Sequence, residues 1–145
     1  MKLADWLGTF HPSASHFPIA LLLAAGLAEL LRVATGRSLF DGAARYCLWF
    51  GALGAIMTAL LGWFMAGFQV TDPTGILTLH RWLGTAVAVG ASLALTLGEQ
   101  SRRQPDKRSV CWAFRVSLLS VVLLVLVSGF LGGAMLYGIH HHEWR

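Results

Sequence analysis

Charge is scarce in this chain. Its 145 residues include 11 Lys and Arg and 7 Asp and Glu, 12% in all, against about 25% in soluble domains. With 56% hydrophobic residues and a mean hydropathy of +0.63, a water-soluble fold of this size could not hide its apolar surface. Cysteine is nearly absent. Cys47 and Cys111 form no C-x-x-C and no C-x-x-C-H, which excludes a disulfide scaffold, thioredoxin-like chemistry and covalently attached haem. There is no phosphate-binding glycine loop, no H-E-x-x-H and no visible nucleophile–base set. A stand-alone enzyme is therefore a weaker reading than a non-catalytic subunit.

What is there is apolar and long. Four runs, at about residues 17–34, 46–68, 76–97 and 116–139, each approach or exceed the roughly 20 residues a helix needs to cross a bilayer. They lack the period-2 alternation of barrel strands. The expected fold is all-α, a single domain of four transmembrane helices. Before them, Leu3, Trp6, Leu7 and Phe10 fall at helical spacing and predict a short interfacial amphipathic segment. That segment does not read as a secretory signal, because the first long apolar run starts only at Phe17 and no small-residue cleavage site follows it. Pro18 suits the first turn of the first long helix, which would place His16 just before its start.

The basic residues concentrate in two breaks. Arg32, Arg37 and Arg45 flank the first, and Arg102, Arg103, Lys107, Arg108 and Arg115 flank the third. The positive-inside rule then puts both loops in the cytoplasm and both termini on the periplasmic side of a bacterial inner membrane. The net charge of +4 is a topology signal, and no nucleic-acid partner is expected. Glu29 is expected to pair with Arg32 near the cytoplasmic interface, and Glu99 to be solvated at a helix end.

The same topology sorts the histidines. His11 and His16 precede the first span, His80 opens the third, and His140, His141 and His142 follow the fourth. All six fall at one membrane face. Imidazole is the usual axial ligand of b-type haem and a common ligand for zinc and copper. A haem b would take His16 and His80 as its axial pair, with His11 and His140 in reserve. Arg81 could meet a propionate. Gly84, four residues after His80, and Gly133 on the last span would leave room for a flat macrocycle. Copper or zinc at the same face, with His16 and His80 as ligands, is the alternative. A cofactor-free structural subunit is a third reading. In the haem reading, electrons would pass between quinol or a neighbouring membrane subunit and a periplasmic redox protein.

Several of these residues also form a pattern. His11-Pro12-x-x-x-His16-Phe17-Pro18-Ile19-Ala20-Leu21, Leu61-Gly62-Trp63, Leu79-His80-Arg81-Trp82-Leu83-Gly84, and Gly129-Phe130-Leu131-Gly132-Gly133 with Tyr137-Gly138 together resemble the signature of a bacterial membrane family catalogued as domain of unknown function 2231. The resemblance covers nearly the whole chain. It implies a four-helix membrane protein in which His11, His16 and His80 are family positions. Some members are similar to domains fused to c-type cytochrome modules, which implies redox chemistry and a c-type cytochrome as partner. Phe130 stands where the family pattern often has histidine.

Overall fold

The computed structural model describes residues 3–73 and 75–137. It is all-helical among those residues: α1 is Leu3–Gly8, α2 His11–Thr35, α3 Ser38–Met65, α4 Ile76–Arg103 and α5 Arg108–Tyr137. Four of these, α2 to α5, are long and apolar enough to cross a membrane, as the hydrophobic runs predict. His140, His141 and His142, and the end of the expected fourth helix past residue 137, lie outside the described residues.

Every spanning helix begins or ends in polar sequence beyond its apolar run. The run records only the stretch that must face hydrocarbon, whereas the i→i−4 ladder continues wherever the backbone permits. Thus α3 begins at Ser38 and carries Asp41 in its first turn, where the helix dipole favours an acid. The difference that bears on the site is at α2, which starts at His11, six residues before the expected boundary. Pro12, not Pro18, occupies the first turn, where a missing N–H is harmless. Pro18 lies inside the helix, and His16 is a helical residue rather than a pre-helical one. A proline there leaves the carbonyl four residues back, at Ala14, without its helical donor. Thr58 of α3 supplies one, its hydroxyl donating to the Ala14 carbonyl oxygen at 3.5 Å.

The connections are short and specific. Gly36 ends α2 in the left-handed conformation, φ 68°, with its N–H on the Arg32 carbonyl, a helix stop that glycine adopts without a Cβ penalty. Asp72 receives the backbone N–H of Thr78 at 2.6 Å and so caps the start of α4. The segment α1 packs on α3, and a Cβ on Gly8 would fall 2.5 Å from the Met65 Cα, so only glycine allows that approach. Leu3 and Trp6 stay exposed, as an interfacial helix requires.

The four long helices form two antiparallel hairpins, α2–α3 and α4–α5. Contact is most extensive within each hairpin, less across α3–α4 and least across α2–α5. The core between them is built from Leu22, Ala25, Leu48, Ala52, Ala91, Ala94, Leu118 and Val121. Alanine predominates because close backbone approach, rather than expulsion of water, holds helices together in lipid. Large apolar side chains such as Val89, Leu93, Leu119 and Phe130 are exposed on the outside, the reverse of a soluble bundle. One end of the bundle carries His11, His16 and His80 and is termed the histidine end; the other is the arginine end.

Candidate functional site

At the histidine end one imidazole comes from each hairpin. His11 lies in the first turn of α2 and His80 in the second turn of α4. Their ring centroids are 6.1 Å apart, with planes inclined at 78°. Each ring is held by the partner helix of its own hairpin. His11 Nδ1 donates to the Thr58 carbonyl oxygen at 2.9 Å, and His80 Nδ1 donates to the Ser128 carbonyl oxygen at 3.1 Å. A carbonyl only accepts, so both Nδ1 atoms carry hydrogen. In the neutral ring the lone pair is then on Nε2. This is how a metal-ligating imidazole is oriented from behind.

Glycine makes the arrangement fit. A Cβ at Gly62 would lie 3.0 Å from the His11 ring, and one at Gly132 would lie 3.1 Å from the His80 ring. Each glycine follows the hydroxyl residue whose carbonyl holds the ring by four positions: Thr58-Ala59-Leu60-Leu61-Gly62 on α3, Ser128-Gly129-Phe130-Leu131-Gly132 on α5. A histidine is thus seated on a hydroxyl-x-x-Leu-Gly step twice, once per hairpin. The spacing from His11 to His80 matches that from Thr58 to Ser128 within one residue. The signal was present in the sequence, but it shows only when the two hairpins are laid over one another.

The other expected site residues fall as follows. His16 is exposed, and its Nδ1 turns back to the Pro12 carbonyl oxygen at 2.9 Å on its own helix. Five residues beyond His11, it is rotated from it by about 140° around α2, so the ring brought to His80 is His11's. Arg81 is 7% exposed and reaches across to α3, its guanidinium carbon 5.2 Å from the Trp63 ring centroid. Its Nε and Nη1 have no hydrogen-bond partner. Gly84 sits one turn inward of His80, on the stripe that continues through Val87, Ala91, Ala94 and Gly98. A Cβ there would meet no atom within 4 Å, and Gly133 is equally open. Phe130 is 72% exposed, on a face of α5 different from the one that holds His80.

The arginine end is different in kind. Glu29, 5% exposed, accepts two hydrogen bonds from Arg32 at 2.6 and 2.7 Å and one from Arg115 at 3.2 Å. Asp41 lies 3.4 Å from Arg102 and 4.0 Å from Arg32. Glu99 is not simply solvated as its position at a helix end suggests. Arg45 grips it at 2.8 and 3.0 Å, and Trp49 Nε1 donates to it at 3.0 Å. These pairs tie all four spanning helices together. Among the described residues no group of three or more His, Cys, Asp or Glu could hold a metal ion at either end.

The family model described as "Predicted membrane protein (DUF2231)" matches residues 8–143. No curated protein and no solved structure gives a significant match. The match extends over both hairpins, the histidine pair and the arginine network, and the chain belongs to this family of membrane proteins.

Proposed function

We propose that this membrane protein is an electron-transfer subunit in which His11 and His80 hold one b-type haem at the histidine end. The observation that carries the reading is the pair itself: two imidazoles, one per hairpin, each anchored through Nδ1 with Nε2 left free. With ring centroids 6.1 Å apart, the two imidazoles are near enough to serve one metal between them. The ligand count also favours haem. Zinc sites take three or four protein ligands, whereas haem brings four of its own and asks the protein for an axial pair. The described residues offer two. The absence of C-x-x-C-H makes the attachment non-covalent.

When bound, the haem would supply one-electron redox chemistry. The chain's own contribution is orientation and space. Thr58 and Ser128 fix the imidazole tautomers through their carbonyls, Gly62 and Gly132 let the rings come close to α3 and α5, and Gly84 leaves the α4 face open beside His80. The seam between the hairpins, least closed at α2–α5, is where a flat group flanked by one histidine from each would lie. The positive-inside rule puts this end at the periplasmic face of a bacterial inner membrane. Quinol or a membrane subunit on one side and a c-type cytochrome on the other are the corresponding electron partners.

The test is the reduced-minus-oxidised absorption spectrum of protein produced with haem supplementation. A Soret band and an α-band are expected in the native chain and in His16→Ala. Both should be lost in His11→Ala and in His80→Ala, with helical content unchanged by circular dichroism. Native protein without either band overturns the reading. Stoichiometric copper without porphyrin would replace it with a bare metal site, and no cofactor at all would leave a structural subunit.

A further inference from the structure

We propose a second site, independent of the haem: the α3–α4 seam at the histidine end binds one anionic phospholipid, with its phosphodiester on Arg81 and an acyl chain in the groove beneath. The first observation is the guanidinium. Arg81 is more than nine-tenths buried, and its Nε and Nη1 are shut from solvent without a hydrogen-bond partner. None of the described ion pairs includes it, although Arg32, Arg45, Arg102 and Arg115 each have a carboxylate. Contact with the Trp63 ring offsets only part of the cost of a buried cation. An anion is what the site lacks.

The second observation is the shape next to it. A groove of about 370 Å³ runs between α3 and α4, lined by Ile56, Leu60, Trp63, Thr85, Ala88 and Val89 among others. Trp63 belongs to both features: its ring lies against Arg81 and forms the groove's end nearest the guanidinium. Ile56, Leu60 and Val89 are 40%, 50% and 66% exposed, so the groove opens sideways to the hydrocarbon. Its hydroxyl next to Trp63 is already committed. Thr85 Oγ1 donates to the Arg81 carbonyl oxygen at 2.9 Å and accepts from Trp63 Nε1 at 3.1 Å.

Together these features select a ligand that is anionic and acceptor-rich at one end and apolar along the rest. The depth agrees. Arg81 is five residues into α4, about 8 Å along the axis from its start, beside Trp63 and Trp82, whose rings meet edge to face at 5.6 Å. Such aromatic pairs mark the headgroup level. A guanidinium matches a phosphodiester through paired N–H donors. A zwitterionic headgroup adds an ammonium that Arg81 would repel, so a net-anionic lipid is the one favoured.

The experiment is native mass spectrometry of the full chain released from detergent containing equal amounts of phosphatidylglycerol and phosphatidylcholine. One retained phosphatidylglycerol per chain is expected. Arg81→Gln should lower its apparent affinity about tenfold without changing phosphatidylcholine. Ala59→Phe, which narrows the groove and leaves the guanidinium in place, should also lose the lipid. Equal retention of the two lipids by native protein overturns the proposal, as does an Arg81→Gln variant that binds phosphatidylglycerol normally. So does an Arg81→Gln variant that retains haem dimethyl ester normally but loses haem, because the guanidinium then serves a propionate.

Discussion

The two ends of this bundle handle arginine in opposite ways. At the arginine end, Arg32, Arg45, Arg102 and Arg115 are matched to Glu29, Asp41 and Glu99 across all four spanning helices. At the histidine end, Arg81 is more deeply buried than any of them and has only an aromatic ring. The carboxylates of one end complete its electrostatics from within the chain. The other end has imidazole lone pairs, an unmatched cation and open glycine faces, all of which an outside group could complete. The comparison separates a clamp from a receptor, and it can be broken by experiment.

The largest effect is expected at Glu29. Among the described residues its carboxylate is the only one shared by α2 and α5. Glu29→Gln leaves Arg115 without its counter-charge and Arg32 with only the more distant Asp41. Removing one partner of a buried pair costs about 3–5 kcal/mol. With both arginines about one-third exposed, about 2–3 kcal/mol is expected here after discounting for screening. Arg81→Gln should instead leave the stability of lipid-free, cofactor-free protein unchanged or raise it. Denaturant titration in micelles checks both. Equal losses for the two variants would erase the distinction between the ends.

Next in size are the glycines behind the histidines. Gly132→Ala places a methyl 3.1 Å from the His80 ring, and Gly62→Ala places one 3.0 Å from His11. Overpacking of this kind costs about 1–3 kcal/mol, and the lower part of that range is expected because a ring can tilt. Tilting would weaken the Nδ1 bonds to Thr58 and Ser128, so haem content should fall in parallel. Gly84→Ala is the counterpart within the same end. It meets nothing in the bare protein and gains helix propensity of about 1 kcal/mol, so any haem loss it causes reports on occupation of that space. A stabilised Gly84→Ala protein with full haem content would move the haem off this face.

How far the sequence foretells this molecule differs between its parts. The spans, the breaks at Gly36 and at Asp72, and the gathering of histidines at one end are all legible, because bilayer thickness and charge asymmetry act on composition over many residues. Helix starts are less so: α2 begins at His11 because Pro12 tolerates a first turn, and the Ala14 carbonyl that Pro18 leaves without a helical donor takes one from Thr58. No linear reading of α2 contains Thr58. Which histidine meets His80 is hidden for the same reason. His11 and His16 differ in depth by little more than a turn but in azimuth by well over a third of a circle. Azimuth is set by packing against Gly62. Glu99 misleads in the opposite direction, since its partner Arg45 lies on a different helix.

Thr58 allows a finer cut. Its hydroxyl serves the Ala14 carbonyl oxygen and its carbonyl serves His11. Thr58→Val keeps shape and carbonyl while removing the donor. A single hydrogen bond contributes about 1 kcal/mol, and the 3.5 Å length puts the expected loss at or below that. Haem binding should persist, because the carbonyl that orients His11 belongs to the backbone. Thr58→Val protein that folds but loses haem would mean that the hydroxyl bond to Ala14, rather than the carbonyl alone, positions the ring.

The smallest effect should come from Glu99, and it tests whether the arginine end is uniform. Arg45 is half exposed, Glu99 about one-fifth exposed, and their bidentate contact joins α3 to α4 at the exposed rim, whereas Glu29 is buried. Exposed pairs contribute about 0.2–1 kcal/mol, and such coupling is screened once the Debye length falls to about 3 Å near 1 M salt. A double-mutant cycle of Arg45→Gln with Glu99→Gln should therefore give a coupling of about 0.5 kcal/mol at low salt and nearly none at high salt. Glu29 with Arg115 should keep most of its coupling under both conditions. If the Glu99 coupling resists salt equally, the hydrogen bond from Trp49 has sealed that pair from solvent. The clamp would then extend to the rim, and the contrast with the histidine end would rest on Arg81 alone.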